Sequence, residues 1–481
     1  MKYHLKQKSC SRFVLKILFT AIFISLIFLK ASSAQDTSYR YYPELTRFAL
    51  INDPDSLIPI DTAIGNFHRF NPAEQDFALL HNGFLGAPAT FKFYNPSLSP
   101  DIDIGFHAYD FYWRTMEDVK FYNTIEPYTA FHYQQGSKSE LLVNIDHAQS
   151  INRNLSLGIN FNRFRTNGWY QRQESRISNL DGFLHFKTNS NKYQCVAAYV
   201  LNSLKTDENG GVKNADLFGD TVLFDKTLAD INLDSAKSTW KNDEIMVLNV
   251  LHFGKWVEAN KKDSTAYRKV IPKVRLQERF EWERRSYWFY DYANDGPYYV
   301  ADTLEWENVR DTFRVDRIMN EVRLSKLNRD SLKHNIMWDG NVFFRHQIFF
   351  TQNNGIDQNL QSSIPGGELN LYFKSNIHLS SIFEYNILGR NAGDYHFNVA
   401  LNYSINNTID FNIHAAVSAN HPSLIESEYH STYYNWVNDF SSEKNSEAKF
   451  SFIEKRWHIV LSAKVFTANN FIYWNQSRMP Q

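Results

Sequence analysis

The chain has 481 residues, a net charge of −1 and a mean hydropathy of −0.46. That balance excludes the basic footprint of a nucleic-acid binder, and two cysteines, Cys10 and Cys195, are too few for a disulfide scaffold or a thiolate metal centre. Yet 16% of the residues are aromatic, with 38 Phe and 27 Tyr, and a polar average combined with so many rings suits strands that alternate between lipid and water.

The N-terminus carries an export signature. Lys2, Lys6, Lys8, Arg12 and Lys16 precede an apolar stretch at 17–29, and Ala31-Ser32-Ser33-Ala34 offers small residues for cleavage. This is the layout of a secretory signal peptide cut after about Ala34. The apolar stretch is too short to serve comfortably as a membrane anchor, and no later segment reaches the roughly 20 apolar residues a spanning helix needs. Cys10 precedes that stretch, so a lipoprotein anchor is not expected. Residues 35–102 are rich in Pro, Asp and Asn, as in Asn52-Asp53-Pro54-Asp55. Turn chemistry dominates there, and the expectation is an irregular lead-in, with the barrel running from 103 to 481.

Within that region, 127–134 and 140–147 read as strands. Residues 154–162 follow with strict alternation: Leu155, Leu157, Ile159 and Phe161 fall on one side, Ser156, Gly158, Asn160 and Asn162 on the other. Side chains on a strand repeat every two residues, so one face is as apolar as a lipid tail and the other is small and polar. Alternation breaks at 163–170, and 177–187 with 192–204 reads as a hairpin. After a long connection at 205–242, residues 245–253 resume the pattern. In 273–283, Val274, Leu276, Phe280 and Trp282 share a face interrupted by Glu278, while Arg275, Gln277, Arg279, Glu281 and Glu283 share the other. In 395–405 and 409–417, His396, Asn398, Asn402, Asp410, Asn412 and His414 lie on the polar faces, and the two strands are joined at Asn406-Asn407. Strands of about ten residues with short turns on one side match a transmembrane β-barrel, and roughly 14–16 strands fit. The connections 205–242, 293–308 and 351–365 are then extracellular loops. A soluble sandwich could use the same alternation, but soluble strands average only about five or six residues.

Particular residues resemble a putative porin family of Gram-negative outer membranes: Ile60-Asp61-Thr62 with Phe67-His68-Arg69-Phe70-Asn71-Pro72, Leu85-Gly86-Ala87-Pro88-Ala89, Asp118-Val119-Lys120-Phe121-Tyr122-Asn123-Thr124 before Pro127-Tyr128-Thr129, Glu208-Asn209-Gly210-Gly211, and Tyr434-Asn435-Trp436-Val437-Asn438-Asp439-Phe440. The resemblance implies an outer-membrane barrel with undefined solutes. Ile472-Tyr473-Trp474 and Pro480-Gln481 resemble an internal part of the family rather than a terminal strand, so a C-terminally truncated barrel is expected.

The functional expectation is a channel for passive diffusion of small polar solutes. Its lining candidates are Arg275, Gln277, Arg279, Glu281, Glu283, His396, Asn398, Asn402, Asp410, Asn412 and His414. The expected partners are outer-membrane lipid, the solutes and the barrel insertion machinery. The alternatives are a non-conducting barrel for surface binding or assembly, or a truncated fragment. The charges of 275–283 could equally pair with one another and fill the barrel. No enzyme activity, metal or cofactor is expected. Asp101, Asp103 and His107 are too few for calcium or zinc, and adjacent Asp146 and His147 face opposite ways.

Overall fold

The computed structural model describes residues 46–60, 79–81, 83–84, 86–94, 96–214, 225–259, 267–292, 298–299, 308–327, 336–373, 376–406 and 408–481. All lie in one compact unit, Pro43–Gln481. The expected signal peptide, the 67–72 motif, Asn407 and parts of the 205–242 and 293–308 connections fall outside the described residues.

The N-terminal part forms small elements. β1 (Thr46–Leu50), β2 (Asp53–Pro59) and β5 (Phe121–Thr124) make a three-stranded sheet in the order β2-β1-β5, while β3 (Leu79–His81) pairs with β4 (Ala89–Phe91). Pro54 sits in edge strand β2, where a missing N–H is tolerated. The expected irregular lead-in is therefore partly strand. Residues 101–107 form no strand, and the large sheet starts at Tyr128 rather than near 103.

The large sheet is antiparallel throughout. Its strands are β6 (Tyr128–Gln135), β7 (Leu141–Asn152), β8 (Leu155–Thr166), β9 (Ser175–Lys187), β10 (Tyr193–Asp207), β11 (Lys237–Ala259), β12 (Tyr267–Asp291), β13 (Val309–Lys326), β14 (Ile336–Asn353), β15 (Ile356–Phe373), β16 (Ile377–Tyr385), β17 (Leu388–Gly389), β18 (Tyr395–Ile405) and β19 (Ile409–Asn420). After a small hairpin of β20 (Glu428–His430) and β21 (Asn435–Val437), β22 (Glu443–Glu454) and β23 (Ile459–Asn469) complete it. Each strand pairs with its predecessor in the sheet, apart from β17, which attaches to β15, and the two ends of the order are β6 and β23. Among the described residues those edges are not paired with each other. This is the meander of a β-barrel.

Two expectations need correction. Strands are not uniformly near ten residues: β11 has 23 and β12 has 25. Their outer faces turn polar toward the long-loop end. There Tyr199 donates to Asp243, 3.0 Å away, and Arg284 and Arg314 flank Asp316, each at 2.5 Å. These ladders extend beyond an apolar band. Residues 351–365 are not a loop either. They belong to β14 and β15, joined by a tight turn in which Asn354 and Gly355 have φ of 43° and 91°. Asn-Gly supplies the two positive φ values that such a hairpin turn demands.

The outward face is apolar because alternation puts it there. Phe344, Ile413 and Phe450 are 47%, 49% and 45% exposed, a state that would be costly in water and is favourable in lipid. Glu278 faces the same way and is relieved by a hydrogen bond. Asn249 Nδ2 donates to its carboxylate at 2.7 Å, and Tyr193 donates to Asn249 Oδ1 at 2.8 Å.

Two ends can be distinguished. Turns between β7 and β8, β15 and β16, β18 and β19, and β22 and β23 are short and share one end. The connections after β10, β12 and β19 are long and share the other.

Candidate functional site

The interior of the barrel is occupied by the protein's own N-terminal segment, the described residues between Thr46 and Thr124. Its partners lie on the inner faces of strands from β7 to β22. Thr124 and Ser150 share a 3.3 Å hydroxyl contact on β7, Ser175 of β9 donates to the Gly86 carbonyl at 3.2 Å, and Tyr94 donates to Asn445 of β22 at 2.7 Å. A sheet that touches one segment from so many strands must curl around it.

Three kinds of contact hold the segment. The first is apolar. Met116, Val119 and Phe121 are fully buried against Val196, Ala198 and Val200 of β10 and Met246, Leu248 and Val250 of β11. Burying such side chains contributes roughly 1.5–3 kcal/mol each. Gly158 on the inner face of β8 leaves room for Phe183, whose Cε1 would lie 2.5 Å from an added Cβ. The second is a set of amide grips on backbone. Fully buried Asn202 accepts from the Arg114 N–H at 3.0 Å and donates to its carbonyl at 2.7 Å, as a neighbouring strand would. Asn179 donates to the Tyr112 carbonyl at 3.0 Å, and Asn386 to that of Pro100 at 3.3 Å. These satisfy backbone groups that burial would otherwise penalise.

The third is ionic. Asp55, near the short-turn end, meets His252 at 2.9 Å, Arg275 at 3.3 Å and the Gln194 amide at 2.9 Å. Asp53 lies 3.1 Å from Arg275. Glu117 meets Arg279 at 3.2 Å. Asp101 accepts from Arg345 at 3.1 Å and from Gln347 at 3.0 Å. Burial opposes ionisation of Asp101, but the Arg345 guanidinium and its hydrogen bonds outweigh it and hold the carboxyl below its ordinary value. Where the segment turns, His107 donates to Asp103 at 3.0 Å and Asp110 at 2.8 Å. Those two hydrogen bonds, that to Asp103 first, hold its pKa up at about 10. Burial pushes the Tyr112 phenol up to about 12, so it stays a donor, to the Ala87 carbonyl at 3.0 Å. Asp101 is thus separated from Asp103 and His107 by its own partners.

All eleven lining candidates project inward, but they divide into two groups. On β12, Arg275, Gln277, Glu281 and Glu283 are buried, and Arg275 and Arg279 engage the inner segment. Glu281 and Glu283 also bind Arg317 of β13, at 3.3 Å and 2.8 Å, and Glu283 pairs with Arg285. Here the charges pair and fill the interior. On β18 and β19, Asn398, Asn402, Asp410, Asn412 and His414 remain half-exposed, while His396 is buried 3.8 Å from Glu384. Asp410 pairs with Lys455 at 2.8 Å, and His414 lies 3.4 Å from Glu447. Asn402 and Asn412 face each other across the strand pair. Sequence reading missed Asp53, Asp55, Arg114, Glu117, His252 and Arg345 as a set, because their partners are far away along the chain. The signal available was acidic residues in the lead-in matched by basic residues on inward-facing strand positions.

A many-stranded antiparallel sheet, apolar outside and polar inside, defines an outer-membrane β-barrel. The profile of the putative porin family matches residues 45–481, so the chain belongs to that family. Solved structures show similar folds. The copper transporter OprC shares 9% identity at a TM-score of 0.52, covering 84% of this chain and 69% of that one. The closed form of the ferric-catecholate import receptor Fiu from E. coli K12 shares 12% at 0.48, over 73% and 59%. The siderophore receptor PirA from Acinetobacter baumannii shares 9% at 0.47, over 72% and 53%. The chain thus spans between about half and three fifths of the length of these two receptors. No curated protein matches the chain.

Proposed function

We propose that this barrel is a porin-like channel for passive diffusion of small polar solutes, entered after export by the N-terminal signal peptide, with the inner segment narrowing the passage. The observation that carries the reading is the half-exposed, mostly uncharged inner face of β18 and β19, at Asn398, Asn402, Asn412 and His414. Amides and imidazoles there can exchange hydrogen bonds with a passing solute without holding it by charge. The long-loop end faces outward by the usual asymmetry of such barrels. The partners are lipid, the solutes and the insertion machinery, and no catalytic step is involved.

A second reading, a non-conducting barrel for surface binding or assembly, is favoured by one observation. The charged row of β12 is paired rather than standing free, Arg275 and Arg279 with the inner segment and Glu283 with Arg317 of β13. Liposome swelling separates the two. The channel reading predicts swelling whose rate falls as solute size rises; no swelling with any solute, by barrels confirmed as inserted, contradicts it and leaves the second reading.

A further inference from the structure

The inner side of β22 is fixed by Asn445, which accepts the hydrogen bond of Tyr94 in the inner segment. Glu447 and Lys449, two and four residues further on, lie on that same side, because side chains on a strand repeat every two residues. The pairing register then sets His414 of β19 opposite Lys449 of β22, and Lys449 opposite Lys464 of β23, in one inward row. One step nearer the short-turn end, the next inward row holds Asn402, Asn412, Ser451 and Ser462.

Like charges placed directly opposite on a strand pair are destabilising, so this row calls for a counter-charge. The chain supplies part of it. Glu447 meets Lys464 at 2.7 Å and His414 at 3.4 Å. Lys449 is exposed and has no ion-pair partner among the described residues. Inward cations on β12 and β14 are treated differently: Arg275, Arg279 and Arg345 each meet a carboxylate of the inner segment. The β19–β23 wall thus keeps an ammonium that no carboxylate of the chain neutralises. Beside it, the half-exposed amides of Asn402 and Asn412 and the exposed Ser462 hydroxyl offer hydrogen-bond donors. An ammonium with neutral donors around it is the set that binds a carboxylate or phosphate. A neutral solute would leave Lys449 without a counter-charge, and a cation would meet its own sign.

We infer that Lys449, with Lys464 and the neighbouring amides and hydroxyl, forms a binding site for a small oxyanion, a carboxylate or a phosphate. The oxyanion takes the place of the missing carboxylate in the row, accepting from the Lys449 ammonium and from the donors one step below. The inference names a solute class for the channel reading above and rests on that reading only for the solute's passage.

Binding is measured on the full chain, extracted from membranes into detergent micelles, by NMR titration with inorganic phosphate, acetate and D-glucose. Phosphate, acetate or both bind saturably, which tells the two oxyanions apart, and glucose binds more weakly. Lys449→Gln keeps the length of the side chain and loses its charge. It weakens oxyanion binding by about fivefold, the weight of one charge at contact distance in water, while Lys449→Arg retains it. Absence of saturable binding of both oxyanions, unchanged affinity in Lys449→Gln, or equal binding of glucose overturns the inference. In planar bilayers under a potassium chloride gradient, Lys449→Gln moves the reversal potential toward cation preference; no movement in a conducting barrel counts against the site. Conduction without oxyanion binding defeats this site and leaves the channel reading. Oxyanion binding by inserted barrels that do not conduct does the reverse.

Discussion

The β10–β13 wall and the β18–β19 wall present the same outer face and opposite inner ones. Outside, Ile245, Phe280 and Val322 on the first wall and Phe397, Ile413 and Val417 on the second are all exposed apolar residues. Inside, the first wall carries Val196, Met246 and Leu248 together with Arg275, Glu281 and Arg317, packed or paired. The second carries Asn398, Asn402, Asn412 and His414, half-exposed. Lipid imposes one requirement on every strand, whereas the interior answers to what lies beside it. A wall that grips a protein segment needs apolar knobs and charges paired with that segment; a wall beside water needs neither.

The comparison can be broken from the grip outward. The largest effect is expected at Asp55. Asp55→Ala leaves Arg275 and His252 buried with one carboxylate fewer, and breaking a buried ion pair costs about 3–5 kcal/mol. Thermal unfolding of the extracted protein checks this, with a large drop in the transition expected. Phe121→Ala removes a ring that is 1% exposed and should cost a similar ~3–5 kcal/mol. Ile413→Ala, on the other wall's outer face, should cost much less. Ile413→Arg tests that outer face directly. A charge near the bilayer midplane costs about 2–4 kcal/mol, measured by refolding into lipid vesicles, whereas arginine on a water-facing surface would be nearly neutral.

The grip also has a pH signature. The His107 pKa is raised, so its stabilisation is complete below its unfolded value of about 6.5 and disappears as the pH rises through about 10. The difference in thermal stability between the parent protein and His107→Gln should therefore be constant below neutral pH and shrink to nothing above about pH 10. The effect is small, since the side chain is 60% exposed. A difference that vanishes near pH 6.5 would contradict the Asp103–His107–Asp110 bridge. A modest effect is expected at the β14–β15 turn. Gly355→Ala forces a side chain into positive φ, at about 1–2 kcal/mol, and should lower stability without touching the lumen.

The outer face was legible because lipid enforces a local rule. Leu155 to Phe161 and Val274 to Trp282 announce their side by alternation alone, and β18 and β19 were readable almost to the residue. Strand ends were less legible, since Asp243, Arg284 and Asp316 look like loop residues until their partners across the sheet are known. The Asn354-Gly355 turn was written in the sequence and was passed over because its polar neighbours, Gln352 to Gln361, resemble a loop. The filled lumen was not legible. Asp55 and His252 are 197 residues apart, and Asn52-Asp53-Pro54-Asp55 reads locally as a turn. The inward positions of Arg275 and Arg279 could be read, but what they face depends on a segment with no periodic signal.

The central claim is that the described residues between Thr46 and Thr124 sit inside the barrel. Gly86 and Ser175 test it most directly: a Cβ on Gly86 would lie 3.0 Å from the Ser175 Cβ, close to disulfide range. In a Cys195→Ala background, Gly86→Cys combined with Ser175→Cys should give a protein in the membrane fraction whose two thiols resist alkylation until reduced. Free alkylation of both thiols in that fraction, without reduction, would contradict the docked segment and the account built on it.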